Sequence, residues 1–408
     1  MRQWLWKALC EVVLHKTYSN LYLKEHLNEL DPKERALATR IYYGTLQNYD
    51  LCEASWKRFA KRKVPSRVAV LLTMSVYQLM FVDSIPDYAI INEAVALAKK
   101  LSPKTGGFVN AVLRNVLRTP MDYPSDPKEK LAMETSLPEW LIDLWTKSYG
   151  WQNTEQIAKA SLCVPPMTIR PNPLRISREE LEKEEHLSPS PMDGLYLYSG
   201  SLAQDPLYQE GKISVQDAGS VEIARFTQAK PGDFVLDLCA APGTKSMAMA
   251  EMMNNEGSIT CLDLHKHRAA LIEQDAKRLG LDIISARQAD STKIKDTDKY
   301  DVVLCDVPCS GWGVLGRKPD MKLHLDQKEG YKLAATQSDL LEAGARALKP
   351  GGTLVYSTCT LDPVENEEQV KAFCRAHPEF DLEKEQTLLP DGSRDGFFMA
   401  RLIKGRKE

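Results

Sequence analysis

Residues 234–246, with the sequence FVLDLCAAPGTKS, decide the fold of the second half of this chain. An apolar run ends in an acid, a loop of small residues with one glycine follows, and KSMAMAEMM (245–253) continues at helical spacing. This pattern predicts a buried strand that turns directly into a helix. Small residues in such a loop let backbone amides at the helix start approach a ligand.

The same alternation continues to residue 404. Apolar runs predict further strands at SITCLDL (258–264), IISARQAD (283–290), DVVLCD (301–306) and TLVYSTC (353–359), with GFFMARLIK (396–404) as an edge strand. Helical patterns separate most of these runs, over His265–Leu279, Leu333–Leu348 and Glu365–Ala376. Strands joined by helices need right-handed crossovers, which predicts a doubly wound, Rossmann-like α/β domain built on a parallel sheet. Ligands bind such sheets at the carboxyl ends of the strands.

The first part of the chain predicts an all-α bundle. Apolar positions recur at helical spacing, between proline and glycine turns, in Trp4–Leu14, Ala36–Leu51, Val68–Val82, Ile90–Leu101 and Phe108–Leu117. A middle region combines a helix near Trp140–Tyr149 with short extended runs at Met167–Arg170 and Leu195–Tyr198, and this mixture predicts a small α+β connector. We therefore expect a multidomain chain divided at 1–125, 126–226 and 227–408.

Composition excludes several classes of protein. The longest apolar stretch, Val68–Val82, contains three polar residues and is shorter than the roughly 18 residues of a membrane span. The first residues contain charges and no small-residue cleavage site, which argues against a signal peptide. Nine cysteines without a C-x-x-C pair favour reduced thiols over disulfides or a zinc site. We expect a cytoplasmic monomer with no membrane and no metal.

Charge is unevenly distributed along the chain. The whole sequence has a net charge of −3, but residues 1–125 hold 18 Lys and Arg against 11 Asp and Glu. Six cations fall within eleven residues: Lys57, Arg58, Lys61, Arg62, Lys63 and Arg67. Such a cluster is a candidate RNA-binding patch, because it can contact phosphates, and a solvated helix face is the alternative.

The predicted carboxyl edge of the sheet holds a candidate cofactor site. Its loop consists of Cys239, Ala240, Ala241, Pro242, Gly243, Thr244 and Lys245. Asp263 ends the next strand, where an acid can accept hydrogen bonds from ribose hydroxyls, and Asp290 ends the third strand, where it can meet an adenine amino group. These features predict an adenosine-containing cofactor. The loop lacks the G-x-G-x-x-G of dinucleotide-binding proteins and the first glycine of a phosphate-binding loop.

Two further loops at this edge contain chemically active residues. The fourth strand ends in CDVPCSGWG (305–313) and the fifth in STCT (357–360). Neighbouring strands lie roughly 5 Å apart, so their ends should bring Asp306, Cys309 and Cys359 together beside the cofactor. Catalytic residues are commonly held on loops by a rigid sheet, which makes both cysteines candidates for function.

These blocks resemble the S-adenosylmethionine-dependent RNA cytosine-C5 methyltransferases. The matching segments are LDLCAAPGTKS (236–246), Ala289-Asp290, DVPCSGWGVLGRKPD (306–320), LKPGGTLVYSTCTLDPVENEEQV (348–370) and DGFF (395–398). Upstream, RIYYGTLQNYDL (40–51), IPDYAIINEAVALAK (85–99) and GGFVNAVLRNVLR (106–118) are similar to the NusB-like RNA-binding module. Their combination resembles the Sun-type enzymes, which implies S-adenosylmethionine as cofactor and small-subunit (16S) ribosomal RNA as partner.

The resemblance also implies roles for the site residues. Cys359 is expected to attack C6 of the cytosine, and Cys309 to assist release of the methylated product. Asp306 would hold the polar edge of the base, while Lys245 would help to stabilise the attacking thiolate. The chain departs from the family at Thr244, where a glycine is usual.

Other positions depart from the family pattern as well. Trp312 replaces a small residue and Thr292 replaces an arginine. Trp312 could stack on a base or fill its loop, and we favour the second. These departures leave both cysteines and the cofactor acids in place, so they bear on substrate fit rather than on the type of reaction.

Three alternatives stay open at this point. The same chemistry could act on transfer RNA, or the chain could be a NusB-like RNA-binding factor with an inactive methyltransferase domain. The presence of both cysteines and of Asp263, Asp290 and Asp306 argues against inactivity. A nicotinamide oxidoreductase is disfavoured by the missing glycines.

Overall fold

The chain folds as two units whose boundaries do not follow the order of the sequence. The computed structural model describes residues 1–406. Unit 1 comprises Met1–Val164 together with Leu315–Gln327, and unit 2 comprises Pro165–Val314 and the chain from Lys328 onward. A segment that follows the predicted Cys309 loop therefore belongs to the helical unit.

Unit 1 is all-helical, as the apolar spacing predicts. Its helices are α1 (Arg2–His15), α2 (Ser19–His26), α3 (Pro32–Gln47), α4 (Tyr49–Lys57), α5 (Ser66–Phe81), α6 (Asp87–Leu101), α7 (Pro103–Arg118), α8 (Pro127–Thr135), α9 (Glu139–Tyr149) and α10 (Trp151–Ala160), with 3₁₀ turns at Leu27–Glu29 and Pro319–His324. The periodic run 36–51 is divided between two helices at Asn48, whose backbone is not helical and whose side chain donates to the Gly44 carbonyl at 2.9 Å.

The segment 315–327 is fixed in unit 1 by buried polar contacts. Lys322 is 6% exposed, and its ammonium donates to the carbonyl oxygens of Thr135 at 2.8 Å and Gln47 at 3.3 Å. Asp320 accepts hydrogen bonds from the hydroxyl and the backbone amide of Ser19, at 2.6 and 3.3 Å. Burial lowers the pKa of Lys322 to about 7.

Unit 2 begins with a small α+β region, which occupies part of the predicted connector. Its elements are β1 (Thr168–Pro171), α11 (Arg178–Leu181), β2 (Leu187–Pro189), β3 (Tyr196–Tyr198), α12 (Pro206–Gln209) and β4 (Ile213–Val215), with a 3₁₀ turn at Leu202–Gln204. The four strands form an antiparallel sheet in the order β2-β3-β1-β4. The outer strands β2 and β4 have three residues each, too few to show a periodic pattern in the sequence.

The larger sheet of unit 2 has seven strands. The remaining elements are α13 (Ala218–Thr227), β5 (Phe234–Asp237), α14 (Thr244–Met252), β6 (Ser258–Asp263), α15 (Lys266–Leu279), β7 (Ile284–Gln288), a 3₁₀ turn at Ser291–Lys293, β8 (Tyr300–Asp306), α16 (Glu329–Ala347), β9 (Leu348–Thr358), α17 (Glu367–Ala376), β10 (Phe380–Leu388) and β11 (Phe397–Lys404). The strand order is β10-β11-β9-β8-β5-β6-β7. Parallel pairing from β9 to β7 confirms the Rossmann-like fold, whereas β10 and β11 are antiparallel and make the sheet mixed.

The prediction that residues 396–404 form the edge strand is wrong. β11 pairs with β9 on one side and with β10 on the other, so β10 occupies the edge. The pattern of β10 escapes detection because residues 381–385, DLEKE, are all exposed and mostly charged. Charged side chains are typical of an edge strand, since they oppose pairing with another chain.

Two apolar clusters cover the two faces of this sheet. Met247, Ile259 and Ile272 lie in one cluster, and Leu236, Leu341 and Phe398 lie in the other. Burial on both faces accounts for the continuous apolar runs of the parallel strands. Among residues 1–406, no helix has both the length and the apolar character that crossing a membrane requires.

Candidate active site

The loop after β5 is held in place by the buried acid that ends the strand. Asp237 accepts a 2.5 Å hydrogen bond from the Ser246 hydroxyl and a 3.4 Å bond from the Cys239 amide. Burial raises the pKa of Asp237 to about 7. Gly243 ends the loop with φ of 102°, in the left-handed region that favours glycine, and α14 begins at Thr244. The usual second glycine is not required at position 244, because Thr244 already lies within the helix.

The two acids predicted to bind the cofactor lie at the ends of adjacent strands. Asp263 ends β6 and accepts from the His265 amide at 2.9 Å, and Asp290 follows β7 and pairs with Lys293 at 2.7 Å. The Ala289 amide donates to the Asp263 carbonyl at 2.9 Å, which ties the two strand ends together. Two carboxylates beside a loop of small residues are the acceptors that ribose hydroxyls and an adenine amino group need.

Asp306 and Lys245 form an ion pair at the end of β8. The Lys245 ammonium donates to one Asp306 oxygen at 2.7 Å, and the Ser357 hydroxyl donates to the other at 2.8 Å. Burial disfavours the charged form of Lys245, but attraction to Asp306 and the hydrogen bond between them outweigh burial and raise the pKa of Lys245. Lys245 is also attracted to Cys359.

The structure brings the two candidate cysteines together. The sulfur atoms of Cys309 and Cys359 lie 3.3 Å apart, and the Cys359 amide donates to the Cys309 sulfur, also at 3.3 Å. The register of β8 and β9 sets this proximity, since Asp306 pairs with Ser357 across the two strands. The hydrogen bond with Cys359, together with burial, raises the pKa of the Cys309 thiol. Either thiol can be the donor in the contact between the two sulfur atoms.

A buried carboxylate that sequence reasoning missed connects the two cysteine loops. Glu365 is fully buried and accepts from both the amide and the hydroxyl of Ser310. The Ser310 and Thr360 hydroxyls are 2.7 Å apart. Glu365 belongs to the polar run DPVENEE (362–368), which as sequence alone is typical of a solvated surface. Its only sequence signal was its place within the block that resembles the methyltransferase family.

The loop after Cys309 packs closely against its neighbours. Trp312 is 3% exposed, and its backbone amide donates to the Thr360 hydroxyl at 3.3 Å, so the indole fills the loop, as we favoured. Gly313 donates its amide to the Cys359 carbonyl at 3.0 Å and accepts from the Gly396 amide at 2.8 Å. These bonds join the loop to both the Cys359 segment and the DGFF block.

The predicted basic cluster lies in unit 1, and its members differ in their contacts. Arg58 donates to the carbonyl oxygens of Thr119 and Pro120, and Lys57 pairs with Glu53. The Arg67 guanidinium lies 5.4 Å from the Trp6 ring centroid. Lys61, Arg62 and Lys63 are exposed and form no ion pair within residues 1–406. These three are the cations most available to a partner.

Comparison with known proteins assigns the chain to a family. The description "NusB family" matches residues 1–118, a ferredoxin-like domain of RsmF/B-like methyltransferases matches 137–184, and "16S rRNA methyltransferase RsmB/F" matches 224–403. The probable ribosomal RNA small subunit methyltransferase B of Bacillus subtilis is 40% identical, with 98% of this chain and 97% of that protein covered. The chain belongs to the RsmB family of methyltransferases.

A second curated relative and two solved structures are also similar to this chain. Ribosomal RNA small subunit methyltransferase B of Pseudomonas putida is 32% identical over 98% of this chain and 97% of that protein. The crystal structure of PH0851 superposes with a TM-score of 0.78 at 27% identity, covering 95% of this chain and 94% of that one. A methyltransferase homolog from Pyrococcus horikoshii gives a TM-score of 0.61 at 26% identity, over 69% of this chain and all of that one.

As a member of the RsmB family, the chain is an S-adenosylmethionine-dependent RNA methyltransferase. The residues at the ends of β5, β6 and β7 fit this cofactor. They combine the small-residue loop with two hydrogen-bond acceptors, Asp263 and Asp290. Among residues 1–406, no group of three or more His, Cys, Asp or Glu side chains is arranged to hold a metal ion.

Proposed function

We propose that this enzyme methylates C5 of one cytosine in 16S ribosomal RNA, in the cytoplasm, through a covalent adduct with Cys359. The observation that carries the proposal is the 3.3 Å separation of the Cys309 and Cys359 sulfur atoms beside the Lys245–Asp306 pair. The names of the relatives support ribosomal RNA as the substrate.

The chemistry requires a nucleophile because C5 of cytosine reacts poorly by itself. S-adenosylmethionine supplies an electrophilic methyl group when it is bound. The Cys359 thiolate would add to C6, and the electron pair of the C5=C6 bond would become available at C5. The C5–CH3 bond would form as the bond between the methyl carbon and the sulfonium sulfur breaks, which leaves S-adenosylhomocysteine. The C5 proton then leaves to a base, the C5=C6 bond re-forms, and the C6–S bond breaks to return the thiolate. We assign assistance of this release to Cys309.

Charge and hydrogen bonding support Cys359 as the attacking residue. Lys245 is attracted to Cys359, and a cation close to a thiolate stabilises it. Cys309 has a raised pKa and a hydrogen bond to Cys359, so negative charge is better placed on the Cys359 sulfur. Asp306 lies at the end of the adjacent strand, where its carboxylate can hold the polar edge of the base.

The predicted basic cluster of unit 1 supports a role in RNA binding. Lys57, Arg62 and Lys63 line a cavity of about 700 Å³ in this unit. Phosphate contacts of this kind position an RNA without reading its sequence. The target base must also leave its stack to reach the cysteines, which is easiest in a loop or a single strand.

The test uses unmodified 16S ribosomal RNA with methyl-labelled S-adenosylmethionine. Wild type, Cys359→Ala and Cys309→Ala are compared, and the labelled nucleoside is identified by mass spectrometry. We expect 5-methylcytidine from wild type and at least a thousandfold loss with Cys359→Ala. Cys309→Ala should accumulate a protein–RNA adduct that survives denaturing electrophoresis.

Cys305→Ala is the matched control. Cys305 is fully buried on β8 and lies outside the proposed site, so its variant should retain methyl transfer. Label in transfer RNA instead of ribosomal RNA would contradict the substrate. Bound cofactor without methyl transfer to any RNA would favour an RNA-binding factor with an inactive domain.

A further inference from the structure

A buried hydrogen-bond network surrounds Glu365, between the two cysteine loops. One carboxylate oxygen accepts from the Ser310 amide at 3.0 Å and from the Gln337 side-chain amide at 2.8 Å. The other oxygen accepts from the Ser310 hydroxyl. Glu365, Ser310 and Gln337 are all less than 10% exposed, so these contacts replace the water that the polar groups would otherwise bind.

The network acts more directly on Cys309 than on Cys359. Cys359 follows immediately after β9, whose last residue, Thr358, is paired with Phe398 on β11. Cys309 lies beyond the end of β8, outside the strand pairing. Its flanking residues are held from the side of Glu365, since Ser310 donates to Glu365 and the Pro308 carbonyl accepts from Gln337 at 3.0 Å.

We propose that Glu365 is the positioning residue that holds Cys309 against Cys359, acting through Ser310. Both carboxylate oxygens of Glu365 accept hydrogen bonds from Ser310, so its effect on the reaction passes through the loop. The inference rests on the proposed function, because it assumes that Cys309 assists release of the methylated base.

The consequence is specific to one step. If the Cys309 loop is displaced, Cys359 can still attack and C5 can still be methylated, but release of the product slows. A Glu365→Gln variant keeps the size of the side chain, and its amide nitrogen cannot accept the hydrogen bond from Ser310. Ser310→Ala removes the hydroxyl that Glu365 accepts from, together with its 2.7 Å contact with the Thr360 hydroxyl, and serves as a second variant should Glu365→Gln fail to fold.

The experiment separates the first turnover from later ones. Methyl transfer is measured with enzyme in excess over 16S ribosomal RNA and again with RNA in excess, and the adduct is quantified by denaturing electrophoresis. For Glu365→Gln and Ser310→Ala we expect a first turnover within threefold of wild type. The steady-state rate should be at least tenfold lower, with an adduct that accumulates as in Cys309→Ala.

Glu368→Gln is the matched control, because Glu368 is exposed three residues away and should behave as wild type. An unchanged steady-state rate, or equal loss in both phases without adduct, would overturn the role of Glu365. If Cys309→Ala accumulates adduct and the Glu365 variant does not, only this inference fails. If Cys309→Ala gives no adduct, the proposed role of Cys309 fails and the inference fails with it.

Discussion

The ammonium of Lys245 lies 2.7 Å from the carboxylate of Asp306, and this pair joins the predicted cofactor loop to the end of β8. Lys245 is in the first turn of α14 and Asp306 is the last residue of β8. Both side chains are largely buried, at 14% and 25% exposure, and attraction between such groups is screened less than at a surface. The pair therefore places one positive charge close enough to interact with Cys359 and fixes the orientation of the Asp306 carboxylate.

Replacing Lys245 by methionine should remove the charge that favours a thiolate at Cys359. We expect methyl transfer to fall at least a hundredfold. The pH at which iodoacetamide half-saturates Cys359 should rise by about one unit, because losing a nearby opposite charge shifts a pKa by an amount of this order. Peptide mapping by mass spectrometry at a series of pH values measures this directly. Lys299→Met, which breaks an ion pair with Asp296 elsewhere in unit 2, is the control and should leave the Cys359 profile unchanged.

Lys322 should make the stability of the helical unit depend on pH. Burial lowers its pKa to about 7, whereas an unfolded lysine titrates near 10.4. Between these values the unfolded chain binds a proton that the folded unit does not, so this residue increases stability by up to about 1.4 kcal/mol per pH unit as pH rises. Below pH 7 both states are protonated, and the contribution no longer changes with pH.

Comparison with a Lys322→Met variant isolates this effect from other titrating groups. From pH 7.5 to 9 the wild type should gain about 2 kcal/mol of unfolding free energy relative to the variant. Guanidinium unfolding followed by tryptophan fluorescence suits the measurement, since six of the seven tryptophans precede residue 165 and lie in unit 1. Lys33→Met, at an exposed position, should show no such difference, and parallel pH profiles for Lys322→Met and wild type would contradict the prediction.

The exposed cations Lys61, Arg62 and Lys63 should contribute to the salt dependence of RNA binding. Substituting Lys61, Arg62 and Lys63 by glutamine removes three exposed cations that have no ion pair among the described residues. The slope of log affinity against log salt should become shallower by up to about 2, because each single-strand phosphate that a cation neutralises contributes about 0.7 to the slope. Filter binding to 16S ribosomal RNA at salt concentrations between about 50 and 200 mM measures this slope.

An equal change of net charge elsewhere provides the control for this prediction. Lys99, Lys100 and Lys104 are exposed on α6 and α7, and their triple glutamine variant should retain the wild-type slope. The same slope in the wild type and in both triple variants would mean that residues 61–63 do not bind phosphates.

Gly313 should tolerate no side chain. A Cβ at this position would lie 2.3 Å from the Gly396 carbonyl oxygen and 2.8 Å from that of Cys359, both of them backbone atoms. Gly313→Ala should therefore displace the Cys309 loop and reduce the steady-state rate of methyl transfer at least tenfold, measured by incorporation of labelled methyl groups with RNA in excess. Gly107→Ala is the control, because a Cβ at this helical position would have no other atom within 4 Å. Since alanine is more stable than glycine in a helix, this variant should keep its activity and gain about 0.5–1 kcal/mol of unfolding free energy. Full activity in Gly313→Ala would show that the loop adapts.

Local patterns were sufficient to predict the reactive edge. Strand periodicity and the rule that parallel neighbours end together predicted that Asp306, Cys309 and Cys359 would meet, and the pairing of Asp306 with Ser357 confirms the register. The same patterns could not reveal β10, because residues 381–385 are all exposed and mostly charged, which leaves this edge strand without apolar alternation. Which cysteine attacks stays a prediction, since both thiols lie in one hydrogen-bonded pair.

Long-range contacts decided what local patterns could not. The sequence by itself determined the helical first unit, the presence of the parallel strands and the loops that hold the cysteines, since each depends on patterns within a few dozen residues. Only the tertiary structure showed that residues 315–327 fold with unit 1, where Lys322 donates to residues 187 and 275 positions away. It likewise turned Glu365 from one acid in a charged run into the buried acceptor for Ser310, 55 positions earlier. A polar residue in sequence has no fixed environment, and its role is decided by which distant donors the fold brings within hydrogen-bonding distance.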